Sequence, residues 1–284
     1  MKKIVLAAFI LCSLFANAQK LDNSLLWKIS GNGLAKPSYL FGTIHITCDA
    51  TLDKNVLKAL DETTQLYLEL DMDDPNMMTE MTGGMAMKDG KKMSTLASPE
   101  DFKIADAFFK TNLGVSLSMV DTYKPFMITA MLYTKMIDCP VQSIEAELMK
   151  VSKAQNEEIY GLETVQEQMT VFDDIPYESQ MKDLVRSAKS GLDKEKAEFK
   201  KMMDMYTAKD LNGLMAFMND VNNPMYSEHN DVLLNDRNKN WIPKIEKTAK
   251  EKPTFFGVGA AHLAGDNGVI TLLRKQGYKV EAVK

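Results

Sequence analysis

Apolar runs of strand length gather at the two ends of this 284-residue chain, and the stretch between them carries helical spacing. A sheet fed from both ends closes only if the C-terminus returns to the N-terminal strands. Residues 25–29 and 38–45 read as two strands. The Ser30-Gly31-Asn32-Gly33 turn chemistry between them predicts a hairpin. Residues 66–70, 158–162, 253–259 and 278–283 have the same apolar, strand-length character. Helical spacing covers 52–62, 127–136 (with an opening near Pro125), 144–155, 269–276 and almost all of 177–250. Ser98-Pro99-Glu100-Asp101 opens one more helix, with a hydroxyl cap, proline at the first position and acids in the first turn. Thr164-Val165-Gln166-Glu167 is a capping box for another. The predicted fold is α/β: a single mixed-sheet domain completed by the C-terminal strand, with a large central helical region.

Residues 1–18 read as a signal peptide. Lys2 and Lys3 precede an apolar run too short for a membrane span, and Ala16-Asn17-Ala18 is a small-x-small cleavage site. Residues 19–284 are then the exported domain, periplasmic or secreted. Cys12 follows Leu11, whereas a lipidated cysteine needs a small residue before it. No later segment is long and apolar enough to span a membrane, and a net charge of −5 argues against non-specific nucleic-acid binding. Cleavage leaves Cys48 and Cys139, as one bridge or two buried thiols; the expectation is a bridge that anchors the loop after His45. Residues 72–93 are methionine-rich, contain Gly83-Gly84 and lack branched aliphatics, so they read as a mobile flap over a cleft rather than as core. With no histidine or cysteine in the run, an adaptable apolar surface is preferred to a soft-metal site.

The chain has three histidines, and two end strand-like runs in one pattern: Gly42-Thr43-Ile44-His45 and Gly259-Ala260-Ala261-His262. Ligands of open α/β sheets bind beyond the carboxyl ends of strands, and a glycine three residues earlier permits close approach. Two histidines delivered this way could meet at one divalent metal, with carboxylates completing the shell. Manganese, cobalt, zinc and iron all suit imidazole and carboxylate ligands. Packing is the competing reading for any single histidine. His229 lacks the pattern and is expected in solvent. Among the acids, Glu69 interrupts an apolar strand, Glu163 precedes a capped helix and Glu145 follows a short apolar stretch. Arg237 could bind an anion bidentately or simply pair on a helix surface. The chain has no HExxH, Gly-x-Ser-x-Gly or CxxCH.

The opening LLWKISGNGLAKPSYLFGTIH, the central GLETVQEQ, the NDRNKNWIPKI helix and the closing FFGVGAAHLAGDNGVITLLRKQGYKV together resemble the TraB/GumN family, which includes the animal Tiki proteins. The resemblance covers nearly all of the mature chain. It implies an α/β domain with paired Gly-x-x-His motifs at Gly42, His45, Gly259 and His262. Glu69, Glu163 and Arg237 are its acidic and basic positions, with Gln168 and Asn238 beside them. As in Tiki proteins, it implies a metal-dependent protease acting on a peptide or protein. In the expected arrangement His45, His262 and Glu69 hold the metal, Glu163 is the general base and Arg237 steadies the oxyanion. The family is also distantly similar to erythromycin esterases and haem-binding proteins. That keeps a second expectation open: a non-enzymatic binder of haem, metal or peptide.

Overall fold

A computed structural model describes residues 20–284, so the signal-peptide reading lies outside the described residues. The strands are β1 (Leu26–Ser30), β2 (Ser38–Thr43), β3 (Leu66–Leu68), β4 (Ile159–Gly161), β5 (Phe255–Gly259) and β6 (Lys279–Ala282). They form one six-stranded sheet in the order β4-β3-β5-β2-β1-β6. The predicted hairpin is the antiparallel β1–β2 pair, and β6 returns from the C-terminus to pair antiparallel with β1. The remaining contacts, β2 with β5, β5 with β3 and β3 with β4, are parallel. Parallel strands are typically buried on both faces and so read as continuous apolar runs. Accordingly β2 is buried along its whole length, and Phe255, Phe256 and Val258 of β5 lie in the same core.

The middle of the chain is helical, as its spacing predicts, and it carries a second apolar core. Phe109, Ile128, Leu132, Met181 and Leu184 pack there away from the sheet. Asp231–Asn235 is a π-helical turn that leads into the long helix Asp236–Glu251. Among the described residues, no helix is long and apolar enough to cross a membrane.

The methionine-rich stretch departs from expectation. Met77–Gly84 is a helix packed on the helix Val165–Asp174, and further along the stretch Met87 and Met93 are buried in the second core. A Cβ on Gly84 would press against the Met169 side chain, so glycine permits the close helix contact. The buried ammonium of Lys124 fixes the arrangement. Its Nζ donates to Gly84 O (2.8 Å) and Met169 O (3.1 Å) and pairs with Asp173 Oδ1 (2.8 Å). Three acceptors match the three donors of an ammonium. The stretch is therefore part flank and part core, not a flap throughout.

Candidate functional site

Four adjacent parallel strands end on the same side of the sheet, and each is followed by one of the predicted side chains. In spatial order they are His45 after β2, His262 after β5, Glu69 after β3 and Glu163 after β4. Register brings the two histidine motifs side by side, because Gly42 pairs with Val258 and Thr43 with Gly259. Both glycines of the motifs are close-approach positions. A Cβ on Gly42 would lie 3.1 Å from Ala260, and a Cβ on Gly259 3.2 Å from Glu69 Oε1. Gly259 N–H donates to that same oxygen at 2.8 Å, so the motif glycine seats the neighbouring strand's carboxylate.

The helix Asp236–Glu251 meets three of these groups through Arg237. Arg237 Nη2 donates to Glu69 Oε2 and to Glu163 Oε1, both at 2.6 Å. Its Nε donates to both Glu163 oxygens at 3.2 Å. Its Nη1 donates to Leu233 O in the π turn and lies 3.1 Å from His262 Nε2. One turn further on, Trp241 Nε1–H donates to Glu163 Oε2 at 3.1 Å, and its ring lies 4.5 Å from the His262 ring. Gln168 Nε2 donates to Glu163 Oε1 (3.1 Å) and to Glu69 Oε2 (3.4 Å).

The two histidines are held differently. His262 is buried. Asn238 uses its amide nitrogen on two carbonyls, His262 O and Asn267 O, which leaves its Oδ1 facing His262 Nδ1 at 2.7 Å. Nδ1 therefore carries the hydrogen, and the Nε2 lone pair points at Arg237. Burial, with Arg237 beside it, outweighs the pull of Glu69 and lowers the His262 pKa to about 3, so the ring is neutral. His45 instead has a side chain 69% exposed. Its Nδ1 lies 2.8 Å from Oε1 of the buried Glu145. The surrounding protein works to lower the His45 pKa, but Glu145 outweighs it and lifts the value to about 9. Burial also opposes charge on Glu69, yet the Arg237 guanidinium, helped by His45 and the Gly259 N–H, holds that carboxyl far below the usual range. Glu69 and Glu163 hold Arg237 charged despite its burial.

Sequence reasoning located the four strand-end groups and Arg237, and noted Glu145, Asn238 and Gln168. It missed Trp241, whose signal was its i,i+4 spacing from Arg237 on one helix face. Arg237 is not the surface residue of the competing reading. His229 is half-buried, not fully solvated, and takes no part in these contacts. Cys48 and Cys139 are bridged. The bridge and the Thr47–Gln142 backbone pair tie the loop after His45 to the segment that leads into Glu145.

A divalent ion fits this donor set in kind. His262 Nε2 and Glu69 Oε1 are 3.7 Å apart, near the roughly 3–3.5 Å separating two ligands with bonds of about 2 Å to one ion. Among the described residues, no three His, Cys, Asp or Glu side chains stand close enough to hold an ion as they are.

The TraB/PrgY/gumN family profile matches residues 25–282. The chain is 22% identical to "Metalloprotease TIKI2" of Danio rerio, over 93% of this chain and 62% of that protein. It is 21% identical to "Metalloprotease TIKI1" of Danio rerio (91% and 63%) and to "Metalloprotease TIKI2" of Xenopus tropicalis (91% and 60%). The chain thus spans about three fifths of the length of these relatives. No solved structure matches it.

Proposed function

The chain belongs to the TraB/PrgY/gumN family, and from that premise we propose that it is an exported metal-dependent hydrolase, specifically a peptidase. The observation that carries the reading is the placement of two imidazoles and two carboxylates at the same ends of four adjacent parallel strands. His262 Nε2, Glu69 and His45 would hold the ion. When bound, a divalent ion lowers the pKa of a water and polarises a carbonyl. The chain's own groups then divide the remaining work. Glu163 accepts the proton as general base, oriented by the Trp241 and Gln168 donors. Arg237 donates to the developing oxyanion. Asn238 fixes the His262 tautomer with Nε2 as the ligating nitrogen. The relatives' names support the class, and the substrate is taken to be a peptide or protein. The Cys48–Cys139 bridge suits an oxidising compartment and supports export.

One observation favours a second reading, a binder of haem, metal or peptide that cleaves nothing. Glu69, Glu163 and His262 all bond Arg237, and the two carboxylates take further donors from Gly259, Gln168 and Trp241, leaving no unencumbered base. The two readings separate in one assay. Residues 19–284, purified, should cleave members of a diverse peptide library, lose that activity to a chelator and regain it with manganese, cobalt, zinc or iron. Metal binding without cleavage of any peptide would select the binder.

A further inference from the structure

The cation that the strand-end donors now hold belongs to the protein. The Arg237 guanidinium bonds Glu69, Glu163 and His262 at once, with Nη1 at the His262 Nε2 lone pair and Nη2 shared between the carboxylates. A single imidazole lone pair serves one partner, so Nε2 cannot ligate an ion while Nη1 sits 3.1 Å away. We propose that Arg237 is a built-in competitor for the divalent ion, bonded to the ion's ligands and swinging out as the ion enters. This rests on the metal-dependent reading above and adds what sets its metal affinity.

A second observation supports exchange over a permanent ion pair. Each carboxylate is seated by donors other than Arg237. Glu69 accepts from Gly259 N–H at 2.8 Å and from Gln168. Glu163 accepts from Trp241 Nε1–H and Gln168, both at 3.1 Å. Asn238 likewise fixes His262 from the opposite ring nitrogen. The ligands therefore keep their orientation when the guanidinium leaves. Nη1 has only Leu233 O as its other acceptor, and Arg237 can move through its own side-chain torsions without unwinding its helix. In its competitor role the guanidinium also keeps two buried carboxylates from standing uncompensated. An arginine freed this way is available for the oxyanion.

The test titrates the wild-type protein and Arg237→Met with Zn²⁺ and, separately, Mn²⁺ by calorimetry. Exchange predicts at least tenfold tighter binding by the variant and a larger rise of its thermal midpoint on loading. Arg237→Met could fail to fold when empty, so a second measurement uses the wild type alone. The chain has three arginines, Arg186, Arg237 and Arg274. Phenylglyoxal labelling read by peptide mass spectrometry should show Arg237 reacting several-fold faster in the loaded protein, with Arg186 and Arg274 unchanged as references. Equal or weaker binding by folded Arg237→Met, or unchanged Arg237 labelling at saturating ion, overturns the exchange while leaving the metal site standing. Failure of the wild type and the variant to bind either ion removes both.

Discussion

Glu145 and Asn238 grip the two histidines by the same ring nitrogen but with different chemistry, a carboxylate on the open His45 and a carboxamide on the buried His262. A carboxylate partner raises the basicity of an imidazole ligand, and losing such a partner costs about 10–100-fold in metal affinity. Glu145→Gln should therefore weaken metal binding by about that factor with little change in the thermal midpoint; unchanged affinity by calorimetry would remove Glu145 from the site. The histidines were legible because Gly-x-x-His occurs twice in a histidine-poor chain. Glu69 was legible because a carboxylate interrupted an apolar strand. Trp241 was not, since a tryptophan on an amphipathic helix reads as core until its neighbours at the strand ends are known. Nor could the sequence say that Arg237 would meet Glu69, Glu163 and His262 together, because those contacts join segments up to 168 residues apart.

At the scale of elements, the ends of the strands were placed to within about two residues by alternating or continuous apolar runs, as expected of such reading. The methionine-rich stretch was misread because methionine has no strong pattern, and what buries Met87 and Met93 is tertiary: packing in the second core, with their backbone N–H groups donating to Thr122 O and Asp121 O. Lys124→Met removes one side of a buried charge network and leaves Gly84 O and Met169 O without their donor. It should destabilise the protein by about 3 kcal/mol in urea unfolding. A loss below ~1 kcal/mol would mean that Lys88 and Tyr177, which also contact Asp173, suffice to hold the helix pair.

For the whole molecule, the fold was legible in outline because a chain with strands at both ends must return its C-terminus to the sheet, and β6 does so beside β1. The disulfide closes a 91-residue separation and joins the His45 loop to the segment that carries Glu145. The chain-entropy account gives it roughly 4–5 kcal/mol as an upper figure. Cys48→Ser should lower the thermal midpoint and loosen metal binding together, and a variant with both properties unchanged would make the bridge incidental. The central claim is that the paired histidines at neighbouring strand ends share one metal. It is tested most directly by elemental analysis of protein equilibrated with a divalent ion and then desalted, comparing the wild type with His45→Ala and His262→Ala, each shown to be folded by circular dichroism. The account predicts one ion per wild-type chain and close to none in either variant; a full complement of metal in either one would contradict it.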